Sequence, residues 1–287
     1  MVAIARQIIT LTKPRIIMLL VLTAVCGAYA AAAGNPSLPV LIAVIVAGSL
    51  SAAGANAINQ GLDADIDAIM TRTRKRPVPA QQLTPFLAVG IGVFFVTTAV
   101  ALMALLTNAT AALLMLAAAL VYVFVYTILL KRRSWNNIVI GGAAGAFPPL
   151  IGAVAVTGSI DAIGLYMFAF VFFWTPPHFW TLSILLRDDY AAASVPMLAA
   201  VTSQRDTATQ IALYIALLLA MSWLPLASGF GGIGFGIVTT ITSIEWLRRS
   251  MPLFAKTTRH QTLSAYKFSL LYLAIAFVVL AVESSLS

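Results

Sequence analysis

Asn59, Asp63 and Asp67 recur at intervals of four in "NAINQGLDADIDAIMTRTRKRPVP", residues 56–79. On an α-helix each such step advances about 40° and rises about 6 Å, so the three side chains line one face. Asp65 points elsewhere. Oxygen donors from Asp and Asn suit Mg²⁺, which keeps several waters and bridges to phosphates. Arg72, Arg74, Lys75 and Arg76 follow at once, and Pro77 and Pro79 end the element. Stacked carboxylates repel one another unless something cationic lies between them, so the stretch is a candidate site for metal and a phosphorylated ligand. A second acidic pair, Asp188 and Asp189, lies in "RDDYAAASVPML". Lys13, Arg15, Lys131 and Arg187 are further cations able to complete an anion site.

Other motifs carry less. "DADID" opens like an EF-hand loop, but the required Gly and Glu are Ala68 and Arg74. The GxGxxG at Gly229–Gly234 follows no predicted strand and is set aside as a phosphate loop. The GxxxG at Gly141–Gly145 reads as close helix packing. The one cysteine, Cys26, excludes a disulfide framework and is read as a small core residue. His260 lies among cations and is read as solvated.

The elements that must position these residues are apolar. Of 287 residues, 61% are hydrophobic and 9% charged, where a soluble domain has about 25% charged. The class is therefore an all-α integral membrane protein, because nothing alternates with the period of a barrel strand. Nine spans are predicted: Ile16–Ala33, Pro39–Ile58, Pro85–Leu106, Ala109–Leu130, Ile138–Val156, Ile160–Trp180, Thr209–Ala227, Phe230–Leu247 and Phe268–Val282, the last beginning somewhat earlier. They are expected to form one domain, residues 1–287, with the first helix retained rather than cleaved as a leader.

With the N-terminus inside and nine crossings, all 17 Lys and Arg fall in the five inner segments. The four outer connections carry none, as the positive-inside rule requires. The C-terminus is then outside. The net charge of +8 is explained by the anionic inner leaflet and membrane lipid, and no nucleic-acid partner is implied. Seven of the nine acidic residues lie on the same inner side. A carboxylate in hydrocarbon costs about 2.5–3.5 kcal/mol, so these acids are expected to face a water-filled cavity open toward the cytoplasm.

Asn59, Asp63 and Asp67 resemble the first aspartate-rich motif of the UbiA-type intramembrane prenyltransferases. "LTKPRI", "DIDAIMTRTRKRPVP", "YTILLKRRSWNNIVIGGAAGAFPPLIGAVAVTG", "FFWTPPHFWTLSILLRDDYAAASVPML" and "YKFSLLYL" are similar to their haem O synthase (protohaem IX farnesyltransferase) branch, in order along nearly the whole chain. The resemblance implies transfer of farnesyl from farnesyl diphosphate to a vinyl group of haem b, with addition of water. Haem b is then a substrate, not a cofactor. It also implies Mg²⁺ held by Asn59, Asp63, Asp67 and Asp189, with Asp188 beside it, and a place in the inner membrane of a prokaryote. Arg72, Arg76, Tyr126 and Lys131 are implied diphosphate contacts, joined by Lys13, Arg15 and Arg187. Asp188 and Asp189 depart from the wider superfamily's DxxxD, since Ala192 and Ala193 stand four residues on. His178, Trp174 and Phe179 are candidate haem or substrate contacts; Phe147 and Trp180 are further aromatics able to face a cation. A downstream haem A synthase or terminal oxidase assembly is the implied recipient.

Two rivals stand beside this reading. One is a sibling prenyltransferase acting on a quinone precursor or other aromatic acceptor. The other is a secondary transporter, whose ion site would lie near the midplane at broken helices rather than at one edge among cations.

Overall fold

A computed structural model describes residue 7 and residues 9–286, without the side chain of Arg15; Arg6 falls outside the described residues. Every long apolar run is a helix, since hydrocarbon offers a backbone no partner but itself. The elements are α1 (Pro14–Ala31), α2 (Leu38–Leu62), α3 (Ala64–Ile69), α4 (Pro85–Leu106), α5 (Ala109–Leu120), a π-helix (Val121–Leu130), α6 (Asn137–Gly141), α7 (Ala143–Thr157), α8 (Ala162–Leu185), α9 (Arg187–Ala192), α10 (Gln204–Met221), α11 (Ile233–Ser250) and α12 (Arg259–Glu283). No strand occurs among the described residues.

Seven helical segments are long and apolar enough to cross a membrane, and the chain is an integral membrane protein. Two of them, Pro85–Leu106 and Ala109–Leu130, end where the sequence predicted. The last begins at Arg259. The predicted spans Ile16–Ala33 and Phe230–Leu247 form α1 and α11, which stand outside the seven. The apolar part of α1, Ile16–Ala31, is short, and α11 carries Glu245, Arg248 and Arg249 in its last turns.

Small residues bring the backbones together. A Cβ added at Gly152 would lie 1.8 Å from the Ala24 carbonyl oxygen, so α1 and α7 touch main chain to main chain. Gly54 and Gly92 do the same for α2 and α4. One core, rich in aromatics, joins α8, α10, α11 and α12 around Phe170, Trp246 and Tyr272. A second, without aromatics among its buried residues, joins α2, α4, α5 and α7.

The GxGxxG segment has a structural use. Glu283 accepts hydrogen bonds from the amides of Gly232 (2.8 Å) and Phe235 (2.9 Å). The glycine loop and the start of α11 thus cradle a carboxylate of their own chain, an anion held by backbone amides at a helix start.

Candidate active site

α2 delivers Asn59 and Gln60, closes at Asp63 (φ −99°, ψ 15°), and the chain re-enters a helix as α3. The four-residue hydrogen bonds run through the junction: Asp63 N to Asn59 O at 3.0 Å and Asp67 N to Asp63 O at 2.8 Å. Asn59, Asp63 and Asp67 therefore keep one face through the break. All three are buried.

Burying carboxylates requires counter-charge, and the chain supplies it. Lys131 Nζ donates to Asp63 Oδ2, which also accepts from Asn59 Nδ2 at 2.7 Å. Arg76 Nη1 donates to Asp67 Oδ2 at 2.6 Å. Lys13 Nζ donates to Asn59 Oδ1 at 3.4 Å. Burial, and next the Arg76 guanidinium, lower Lys13 to about 7. An anion in the mouth would offset both effects. Asp63 Oδ1 is buried without a hydrogen bond; Arg132 Nη2 lies 3.5 Å from it. Arg132 is engaged by exposed Asp65 through two 2.7 Å bonds, which hold that carboxyl below its usual range.

Lys131 follows the π-helix, whose wider turns place Tyr122 and Tyr126 one over the other at 5.6 Å and 19°. Thr127 on the same element accepts from Asn59 Nδ2 at 3.2 Å. Such π-helical segments cluster at functional sites. The N-terminal segment is strapped over α2: Gln60 Nε2 donates to Leu11 O (2.6 Å) and Asn56 Nδ2 to Thr12 O (3.4 Å). This sets Lys13, in a left-handed conformation (φ 54°), above Asn59.

Beside the charged cluster lies a chamber of about 310 Å³, at the lower end of the 300–1,000 Å³ typical of ligand pockets. Leu20, Val44, Met115, Ile151 and Phe179 are among its apolar walls, with Asn56, Tyr122 and Tyr126 supplying polar atoms. The wall meets the acids at Asn56–Asn59 on α2 and at Tyr126–Thr127 on the π-helix. The GxxxG motif divides here: Gly141 accepts the Tyr126 ring, which a Cβ would meet at 2.5 Å, while Gly145 faces open chamber.

The second acidic pair is used differently. Asp189 accepts from the amides of Thr71 (3.2 Å) and Arg72 (3.4 Å), so it ties the basic loop across the mouth. Asp188 and Arg187 are exposed, as is the side chain of Arg72. Among the described residues no three His, Cys, Asp or Glu side chains gather to hold a metal alone. Mg²⁺ does not require that, being bound through one or two carboxylates plus substrate phosphates and waters. The unpartnered, buried Asp63 oxygen fits such a ligand.

His178 does not line the chamber. It stacks between Trp174 (4.3 Å) and Tyr266 (4.8 Å). The Ser269 hydroxyl donates to Tyr266 O at 2.6 Å, so it accepts from His178 Nδ1–H at 2.6 Å, leaving the lone pair on Nε2. Trp174 Nε1 donates to Ser269 O at 2.9 Å. Phe147 packs edge-on to Phe168, and buried Trp180 edge-on to Tyr214.

Sequence reasoning missed Tyr122, Thr127, Gln60 and Ser269. Tyr122 had a signal, four residues before Tyr126 on the same span; Ser269 had none.

The sequence profile described as the UbiA prenyltransferase family matches residues 20–280. A protoheme IX farnesyltransferase of Thermus thermophilus is 44% identical over 97% of this chain, which covers 46% of that protein. The chain thus spans about half the length of this relative. One of Granulibacter bethesdensis, with the same description, is 42% identical over 98% of this chain and 91% of its own length. Among solved structures, a UbiA homologue from Archaeoglobus fulgidus bound to DMAPP and Mg²⁺ matches with a TM-score of 0.71 at 16% identity, covering 96% of this chain and 99% of its own. That likeness is one of fold. With a profile matched across nearly every helix and a relative of similar length so close in sequence, this chain belongs to the UbiA prenyltransferase family.

Proposed function

We propose that the chain is a haem O synthase, transferring farnesyl from farnesyl diphosphate to a vinyl group of haem b. The observation that carries it is the 42% identity to a protoheme IX farnesyltransferase of nearly the same length. The charged mouth beside an apolar chamber supports it, because an allylic diphosphate is anionic at one end and greasy along the rest.

Asn59, Asp63 and Asp67 would hold Mg²⁺, which supplies positive charge to the departing diphosphate. Arg76, Lys131 and Lys13 face the same anion, and Arg72, held by Asp189 through its backbone, stands at the rim. The allylic C–O bond breaks with its electron pair leaving on diphosphate. The chamber, with Tyr122 and Tyr126 in its wall, keeps water from the allylic cation. The vinyl carbon attacks, and water adds to the new cation with loss of a proton. His178 Nε2, with its free lone pair, is a contact for haem iron or for that proton. The acceptor would lie near Trp174, His178 and Phe179.

The same reading makes the chain one domain with nine crossings, N-terminus cytoplasmic and C-terminus outside, in the inner membrane of a prokaryote. Its product would pass to haem A synthase or a terminal oxidase.

The test is mass spectrometry of haem after incubation of purified protein with haem b, farnesyl diphosphate and Mg²⁺, with an EDTA control. A metal-dependent species carrying farnesyl and water is expected. Diphosphate release with a quinone-type acceptor but not with haem would move the chain to a sibling branch. Solute flux in proteoliposomes without a chemical product would favour the transporter.

A further inference from the structure

The acids at the mouth are already neutralised. Lys131 occupies Asp63 and Arg76 occupies Asp67, in buried or half-buried ion pairs. Metal and cation therefore draw on the same two carboxylates.

We propose that Lys131 and Arg76 are exchangeable counter-ions that couple metal binding to diphosphate binding. They hold the two carboxylates until both ligands arrive, then turn to the diphosphate. This rests on the metal–diphosphate reading above.

Charge decides the matter. Asp63 and Asp67 against Lys131 and Arg76 sum to zero, and the Lys13 amine stands beside Asn59. A divalent ion arriving alone adds two charges to a balanced, buried site and strands two displaced cations. Diphosphate arriving alone has cations to bind, but taking them exposes two buried carboxylates. Together the ligands cancel: metal takes the acids, and Lys131 and Arg76 take the phosphate oxygens. By linkage, each ligand must tighten the other by the same factor. Arg248 is the control, because its guanidinium is bidentate to Glu245 on α11 and pairs with neither Asp63 nor Asp67.

The experiment is Mn²⁺ titration of the full chain in nanodiscs, followed by electron paramagnetic resonance, with and without inorganic diphosphate. Free Mn²⁺ is corrected for its complex with diphosphate. The wild type should bind Mn²⁺ at least about tenfold tighter with diphosphate, within the range usual for coupled sites. Lys131→Met and Arg76→Met should bind Mn²⁺ alone more tightly than wild type and lose most of that gap. Arg248→Met should behave as wild type. If Lys131→Met does not fold, the less buried Arg76 carries the test. Unchanged or weaker Mn²⁺ binding by the variants without diphosphate overturns the exchange. Mn²⁺ bound equally with and without diphosphate leaves the site standing and removes the coupling. No Mn²⁺ bound in either condition overturns both this proposal and the metal–diphosphate site.

Discussion

Asp63 and Lys131 form a buried ion pair, so removing either partner alone has two effects. Losing the carboxylate removes a proposed metal ligand and also strands an ammonium, at a cost of about 3–5 kcal/mol when a buried pair is broken. Asp63→Ala should therefore abolish product formation and lower thermal stability together. Asp63→Asn, isosteric and still a hydrogen-bond partner for Lys131, should abolish product with a smaller loss in melting temperature. Asp67→Ala should also stop turnover, with a smaller loss of stability because the Arg76 side chain keeps 21% of its surface in solvent. Near-normal product from both Asp63→Asn and Asp67→Ala would remove the acids from the mechanism. At His178, the Ser269 contact sets the tautomer. His178→Ala should reduce turnover without removing all haem binding. Complete loss of the haem absorbance shift in a folded protein would make His178 the main haem ligand.

At the scale of elements, the π-helix and α6 form one device. The π-helix stacks Tyr122 on Tyr126 and ends at Lys131, and Gly141 leaves room for the Tyr126 ring. Gly141→Ala places a methyl 2.5 Å from that ring. Overpacking of this kind costs about 1–3 kcal/mol, and the ring must leave its place in the chamber wall. Turnover should fall with the melting temperature, whereas Gly145→Ala, which meets nothing within 4 Å, should leave stability nearly unchanged. Thermal unfolding in detergent together with product formation decides between them. The helical content of this region was legible from apolarity alone. The π-form was not, because α- and π-helix share the same apolar composition and differ only in which carbonyl each amide finds. The divided use of GxxxG was hidden for a related reason: spacing shows that two glycines share a face, not what each one meets.

For the whole molecule, charge asymmetry makes the sharpest prediction. On a Cys26→Ala background, cysteine placed at exposed Ser159 should react with an impermeant thiol reagent in intact cells. Cysteine at exposed Lys75 should react only after the membrane is opened. The reverse pattern would invert the topology. Both positions lie in connections between helices, so neither substitution touches a core.

Much of this protein was written in composition and order. Apolar runs of membrane-spanning length required helices, because a buried backbone must satisfy itself. The confinement of cations to alternate predicted connections is what carries the proposed orientation. The spacing of Asn59, Asp63 and Asp67 put three oxygen donors on a common face. What composition and spacing left open was the partner of each charge. Asp63 meets Lys131, 68 residues away, and Asp189 meets the amides of Thr71 and Arg72, 118 and 117 residues away. His178 meets Ser269 across 91 residues. These pairings arise only when α2, the π-helix, α8 and α12 pack together. Packing depends on the summed shape of many small side chains, while period and polarity are properties of a single segment.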